Sequence, residues 1–160
     1  MTSLDSRAFR NALGEFATGV AIVTTQVEGQ DPIGITVNSF SSVSLDPPLV
    51  LWCLDKGSDR LSSFEQCNGF TINILAAEQR DLSNRLSRSG QAGLEDIPIG
   101  EGVNGCPYLA EALANFECSI EARHDAGDHI IMVGRVLAFN QPSAETPLIY
   151  HRGAYCSLAS

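Results

Sequence analysis

Lysine is almost absent from this 160-residue chain, in which Lys56 is the only one. Ten basic residues stand against nineteen acidic ones, giving a formal charge of −9. The arginines are scattered, so there is no basic stripe to follow a phosphate backbone, and nucleic acid is not an expected partner. An anionic ligand would need local help from Lys56, an arginine, a helix N-terminus or clustered backbone N–H groups. Cysteine pairs are missing too. Cys53, Cys67, Cys106, Cys118 and Cys156 form no CxxC and lie among apolar neighbours. That pattern suits reduced, buried thiols in a cytoplasmic protein better than a disulfide framework. His124, His129 and His151 show no spacing that matches paired cysteines, so no metal site is expected. GxSxG, GxGxxG and GxxxxGK[ST] are all absent, which removes an esterase elbow, a Rossmann site and a P-loop. Met1 to Arg10 has no basic-then-apolar leader, and no apolar run approaches the ~20 residues of a membrane span. One soluble domain over 1–160 is expected, without a membrane partner.

The most informative stretch runs from Gly34 to Pro48. It alternates small polar and apolar residues and carries no charge until Asp46. A solvated strand would place Lys, Glu or Arg on its wet face, whereas this one carries Thr36, Asn38, Ser39, Ser41, Ser42 and Ser44. Hydroxyls and amides of this kind can face a polar ligand such as a nucleotide, or can be satisfied by neighbouring backbone in a half-buried strand. Both readings stand on composition.

Around it the chain reads as mainly β with short helices. Ser3 or Asp5 can cap a first helix with Phe9, Leu13 and Phe16 on one face. Val20–Val27 reads as a strand, and Glu28–Pro32 as a turn. Leu49–Leu54 is a continuous apolar run, expected of a strand buried on both faces. Ser58 is placed to cap a helix holding Leu61 and Phe64. Phe70–Leu75 reads as a strand, Glu78–Leu86 as a helix and Ser87–Gly105 as a long loop. Asn115–Glu121 alternates with Phe116, Cys118 and Ile120 inward. Strands over His129–Phe139, Leu148–Tyr150 and Ala154–Leu158 close the chain, most simply as an antiparallel barrel.

Two short motifs carry chemistry. Asp55-Lys-Gly-Ser58 sets a cation, a hydroxyl and a helix start close together after a buried strand, a combination that suits a phosphate. It is equally an ordinary strand-to-helix turn with a solvated lysine. Gly127-Asp-His129 lets a histidine project from a rim, where it can meet a ligand or simply pack.

These pieces, taken in order, resemble the short-chain flavin reductases. Phe9–Val20 with Val23-Thr-Thr25 looks like the family's amino-terminal signature. The Gly34–Pro48 stretch, Asn73-Ile-Leu75, Gly105-Cys-Pro107, Glu117-Cys118, Gly127-Asp-His129, Pro147–Tyr150, Gly153 and Tyr155 continue the likeness over nearly the whole chain. The resemblance implies a split β-barrel that binds FMN, Greek-key-like and usually homodimeric, with flavin near the subunit interface. It assigns Thr36, Val37, Asn38, Ser39, Ser42 and Ser44 to the flavin ring and ribityl chain. Cys53, Leu54, Asp55, Lys56 and Ser58 fall in the segment that helps hold the phosphate. His129 then positions the nicotinamide, with Tyr155 near the same pocket and Arg85 a candidate for phosphate. Three departures stand out: Val37 replaces a frequent alanine, Leu86 replaces a frequent aromatic, and Ser87–Gly102 lacks the usual aromatic and basic residues.

The implied activity is hydride transfer from NADH or NADPH to FMN or FAD. Reduced flavin would then pass by diffusion or transient contact to a flavin-dependent monooxygenase. The cofactors carry that chemistry, so no protein nucleophile is required. Two alternatives remain on the sequence. One is a flavin-binding protein that relays electrons without NAD(P)H. The other is an oxidase of pyridoxine-phosphate type, which would need a cationic cluster that this chain offers little material for.

Overall fold

A computed structural model describes residues 3–159. Asp5 caps the first helix, α1 (Ser6–Leu13), its carboxylate accepting from the N–H groups of Arg7 and Ala8 at 2.9 and 3.3 Å. The apolar stripe of this helix does not enter a core. No residue of α1 is buried, and Phe9, Leu13 and Phe16 are 52%, 58% and 80% exposed.

Strands β1 (Thr18–Gly19), β2 (Ala21–Thr25), β3 (Ile33–Val37), β4 (Ser41–Leu45) and β5 (Pro48–Asp55) lead to the short helix α2 (Leu61–Gln66). Strand β6 (Gly69–Ile74) and a single 3₁₀ turn precede α3 (Arg80–Leu86). Then come β7 (Ile99–Glu101), β8 (Pro107–Leu109), β9 (Ala114–Ala126), β10 (His129–Asn140), β11 (Ile149–His151) and β12 (Ala154–Cys156). Seven strands form one antiparallel sheet in the order β3-β2-β6-β9-β10-β5-β4, while β1-β11-β12 and β7-β8 make two smaller ones. The mainly antiparallel β expectation holds. Backbone bonds do not close the large sheet into a barrel: among the described residues β3 pairs with β2 and, by an isolated bridge at Ile33, with Gly93, while β4 pairs only with β5.

The sheet is nonetheless strongly curled. Ile35 of β3 and Val50 and Trp52 of β5 share one core cluster although three strands separate β2 from β5 in the sheet order. Side chains paired across neighbouring antiparallel strands lie on one face. Val23, Ile72 and Phe116 therefore form a row pointing into that core, beside Phe70 and Cys118. The opposite face holds the rows Thr24–Thr71–Glu117 and Ile22–Asn73–Asn115. Alternation in β9 points only Phe116, Cys118 and Ile120 inward, yet on the other face Thr24, Thr71, Asn73 and Asn115 are fully buried and Glu117 nearly so. The reason is the segment read as a loop. It contains Leu94 and strand β7, which pairs with β8 just beyond it, and with Leu109 and Ala112 this layer covers the face as a second core joined by Val20, Leu75, Leu86 and Leu148.

Asn73 fastens the two layers. Its amide donates to the Ile22 carbonyl at 2.9 Å and to the Thr24 hydroxyl at 3.0 Å. Its oxygen accepts from the Leu109 N–H and from the Asn115 amide, both at 2.8 Å. Strand β5 also departs from expectation. Val50, Trp52 and Leu54 are buried, but Leu49, Leu51 and Cys53 are only half-buried, so one face of this apolar run is left partly open. Burial raises the Cys118 thiol to about 12, which keeps it protonated and inert. Among the described residues no helix is long and apolar enough to cross a membrane.

Replacing Asn73 by alanine strands the buried Leu109 N–H and leaves the Asn115 amide with only the Leu109 carbonyl as acceptor. The expected loss is roughly 2–4 kcal/mol of unfolding free energy, since each unsatisfied buried group costs ~1–3 kcal/mol. Urea denaturation checks it.

Candidate functional site

The Gly34–Pro48 stretch is two strands, not one. β3 and β4 lie at opposite edges of the seven-stranded sheet, and only Asn38, Ser39 and Phe40 connect them. Thr36 and Val37 therefore belong to one edge and Ser42 and Ser44 to the other, with Asn38 and Ser39 in the tether between. Ser39 pins the tether to the other side of the curl: its hydroxyl accepts from the Cys53 N–H at 2.9 Å and donates to the Cys53 carbonyl at 3.3 Å. Phe40 stacks on Phe116 at 5.8 Å. Asn38 is exposed, and its carboxamide makes no hydrogen bond among the described residues.

Strand pairing brings the two sequence motifs together. His129 faces Asp55 across β10 and β5, and the Lys56 N–H donates to the Asp128 carbonyl at 3.0 Å. The turn after β5 is largely satisfied from within. Lys56 Nζ pairs with the Asp125 carboxylate and donates to the Gly127 carbonyl at 2.7 Å. The Asp55 side chain accepts from the Gly57 N–H at 2.7 Å, and its carbonyl accepts from the Ser58 N–H at 3.0 Å. Ser58 does not cap α2. Its hydroxyl accepts from the Arg60 N–H at 3.1 Å, and the helix begins one residue later with no side-chain cap. Leu54 is fully buried, so its side chain belongs to the core. Cys53 is half-buried, and desolvation raises its thiol against the opposing hydrogen bond from Ser39. His129 Nδ1 lies 2.7 Å from Asp128 Oδ1 on the exposed rim.

The other candidates gather at α3 and β12. A cavity of about 510 Å³ opens there, lined by Thr36, Asn38, Arg80, Asn84, Ser87, Tyr150 and Tyr155 among others. Tyr155 is held from three sides. Its hydroxyl lies 2.6 Å from that of buried Ser83, its ring meets Tyr150 edge-on at 5.6 Å, and the Arg80 guanidinium rests 5.3 Å from its centre. The Thr36 hydroxyl donates to the Ser83 carbonyl at 2.7 Å, tying β3 to the same helix. Arg85 points elsewhere. It donates to the Gly93 carbonyl at 3.1 Å and lines a different cavity with Glu78, Asp81, Asp96 and Glu111.

Arg80, Asn84 and Ser87 were missed by the sequence reading. Their i, i+4, i+7 spacing was the available signal, with Arg80 and Asn84 on one face of a predicted helix and Ser87 just past its end. A second cavity of about 700 Å³ shares Asn38, Tyr150 and Gly153 with the first and runs under α1. Its wall includes the β11–β12 turn, where Arg152 adopts a φ of 52°. An ion pair with Glu15 at 2.8 Å and a bond from its N–H to the Gly14 carbonyl at 3.0 Å hold that unusual conformation.

Curled antiparallel strands with polar residues at the joined edges define a mainly β protein, and comparison with known sequences assigns its family. The sequence model of the flavin reductase like domain matches residues 13–159, and the chain belongs to that family. It is 49% identical to the FMN reductase (NADH) SmoA of Agrobacterium fabrum over 94% of this chain and 85% of that one. It is 38% identical to HsaB of Rhodococcus jostii, the reductase subunit of a flavin-dependent monooxygenase, over 98% and 80% of the two chains. Among solved structures, the NADH:FAD oxidoreductase SgcE6 of Streptomyces globisporus, in complex with NAD and FAD fragments, superposes with a TM-score of 0.90 at 30% identity. That superposition covers 99% of this chain and 96% of the other.

The His129 ring holds the Asp128 carboxyl below the usual aspartate range, through a hydrogen bond first and its charge second. Carbon-detected NMR titration should show Asp128 titrating below an ordinary aspartate. In His129→Ala it should return upward. The contact's small contribution to stability is present above the unfolded aspartate pKa and is lost as pH falls through the lowered one.

Proposed function

We propose that this protein is an NAD(P)H-dependent flavin reductase, formed by residues 1–160 as one domain. It reduces FMN or FAD with NADH or NADPH and passes the reduced flavin to a flavin-dependent monooxygenase. The observation that carries this reading is membership of the flavin reductase like family across 13–159, with the family's polar stretch placed where two sheet edges meet.

Bound flavin accepts hydride from the reduced nicotinamide, so the redox chemistry comes from the two ligands and the chain's task is to hold them. Thr36, Val37, Asn38 and Ser39 on the β3 edge and tether, with Ser42 and Ser44 on β4, form the wall for the flavin. Cys53, Leu54 and Asp55 contribute backbone opposite the tether, and Lys56 and Ser58 close that end. Asn38 brings an unengaged amide, and the uncharged hydroxyls around it favour reversible binding, as a flavin that leaves as product requires. His129 orients the nicotinamide from the rim, held in place by Asp128. Fixing two reactants in one geometry lowers the barrier by removing their freedom before reaction. Tyr155, clamped by Ser83, shapes the far side.

The fold is read as a split barrel completed in a homodimer. Exposed apolar side chains support this: Leu45 is 96% exposed on edge strand β4, and Phe139 and Phe16 are 75% and 80% exposed. Light scattering should then give twice the chain mass, and a monomer at micromolar concentration would sink that part of the reading.

NADH or NADPH oxidation followed at 340 nm should require added flavin. Absence of turnover with FMN, FAD and riboflavin, using both nucleotides, would overturn the activity. His129→Ala should raise KM for the nucleotide about three- to tenfold, the worth of one neutral hydrogen bond, with kcat little changed. A collapse of kcat at unaltered KM would assign His129 a different role.

A further inference from the structure

Which group receives the phosphates of such ligands is a question of unengaged positive charge. Lys56 is held by Asp125, Arg135 by Glu121 and Arg152 by Glu15. Arg60 is buried on Asp59 and on the carbonyls of Gly34, Leu86 and Arg88. Arg85 and Arg123 are occupied by main-chain carbonyls. Arg80 differs. Its guanidinium has no carboxylate or carbonyl partner among the described residues, and its one close contact is the face of Tyr155. A guanidinium resting over a ring spends none of its N–H groups on an oxygen acceptor, so they remain available to an oxyanion. Arg7, Arg10 and Arg88 are also without a side-chain partner among the described residues, but Arg7 and Arg88 are exposed and line none of these cavities, and the cavity that Arg10 lines is shared with Glu15.

The surroundings of Arg80 select the same chemistry. In a chain with nineteen acidic residues, the 510 Å³ cavity has no carboxylate in its wall. It offers Arg80 with the amides of Asn38 and Asn84. The cavity around Arg85, in contrast, has four carboxylates. The stack is also fixed in advance: Tyr155 is tied to Ser83, which is itself fully buried. A charge held ready in this way loses little freedom when an anion arrives.

We propose that Arg80, seated on Tyr155, is the phosphate-recognition residue of this site, binding the phosphate or pyrophosphate of a nucleotide that lies along the Asn38–Ser39 tether. The proposal rests on the flavin reductase reading, and it moves phosphate recognition away from Lys56 and Arg85. The shared chemistry has two sources, the flavin phosphate and the pyrophosphate of NAD(P)H.

The test compares wild type with Arg80→Ala, Arg80→Lys and, as a control for lost charge on exposed α1, Arg7→Ala. Flavin fluorescence gives the Kd of FMN and of riboflavin, and steady-state turnover with riboflavin as acceptor gives KM for NADH. In Arg80→Ala one of two quantities should rise about 10- to 100-fold, the effect of a charge-assisted hydrogen bond. A higher FMN Kd identifies the flavin phosphate as the ligand group, and a higher NADH KM identifies the nucleotide pyrophosphate. Riboflavin affinity should stay within about twofold, Arg80→Lys should recover part of the loss, and Arg7→Ala should change nothing. Two results overturn the proposal: both quantities staying within twofold in Arg80→Ala, or riboflavin affinity falling in parallel, which would mean damaged packing. Calorimetric titration with inorganic pyrophosphate separates this from the activity. Binding to wild type that disappears in Arg80→Ala supports the anion site even in a protein that never oxidises NADH. No binding to wild type, with FMN and riboflavin held equally well, also overturns it.

Discussion

The short tether at Asn38–Phe40 is the constraint on which the rest of the molecule turns. Four peptide steps separate Val37, the end of one edge strand, from Ser41, the start of the other. An extended chain covers at most about 14 Å in four steps. The two edges of a seven-stranded sheet must therefore approach within that distance. A flat sheet of this width would hold them roughly 28 Å apart, at ~4.7 Å per strand spacing. The sheet has to curl, and the curl brings Ile35 and Val50 into one core. It also explains why the polar stretch is uncharged. The tether runs over the seam between two edges, where a Lys or Glu would block the approach and where Ser39 can instead bond both backbone groups of Cys53. Adjacent Asn38 is left with its amide facing outward.

Asn73 performs the corresponding task on the other face. A sheet curled around one core exposes its convex side, and in the middle of this sheet that side carries Thr24, Thr71, Asn73, Asn115 and Glu117. Covering such a row with a loop costs least when its polar groups find partners, and within this row only the Asn115 Oδ1 lacks one among the described residues. Glu117 accepts from the Val103 N–H at 2.6 Å, and Asn104 reaches the carbonyls of Phe70 and Cys118 at 3.0 Å. The covering layer also holds Leu94 against Leu86 and so steadies α3, the helix that presents Arg80 and Asn84 to the cavity. Packing far from the ligand wall thus sets the direction of groups within it.

Much of this was legible in residue order and some was not, for identifiable reasons. Alternation in Asn115–Glu121 marked a strand and its core face, because period two is a property of the backbone. It could not show that the other face was also covered, since buried and solvated polar side chains look alike until their partners are placed. The same limit applied to Leu49–Leu54, where an apolar residue fits a second core and an open apolar face equally well. Ser58 was read as a helix cap from its type and position, but the 3.1 Å bond it accepts belongs to a turn before the helix. Gly127-Asp-His129 was placed correctly because a φ of 69° at Gly127 is a local requirement that glycine meets. The partners of Lys56 and Arg85 could not be foreseen, because sequence lists charges without their counter-charges. Asp125 is 69 residues from Lys56 in the chain, and only the β9–β10 hairpin brings it there.

Charge scarcity then becomes a matter of placement. With nineteen acids and ten bases, an unpaired cation is quickly claimed by a nearby carboxylate, and exposed pairs of that kind add little stability. Keeping an arginine unclaimed at the wall of a cavity requires a neighbourhood cleared of acids and a ring face for the guanidinium to rest on. Strand β12 supplies the second through Tyr155, and the 510 Å³ cavity meets the first. Tyr155 faces Tyr150 across a hairpin whose turn is latched to the end of α1 by the Glu15–Arg152 pair. That latch uses a strong surface pair to fix a strained turn rather than to add net stability, and the fixed turn in turn sets the ring on which Arg80 lies. An exposed ion pair that adds little to holding the chain folded can therefore still help to place the ring on which Arg80 rests.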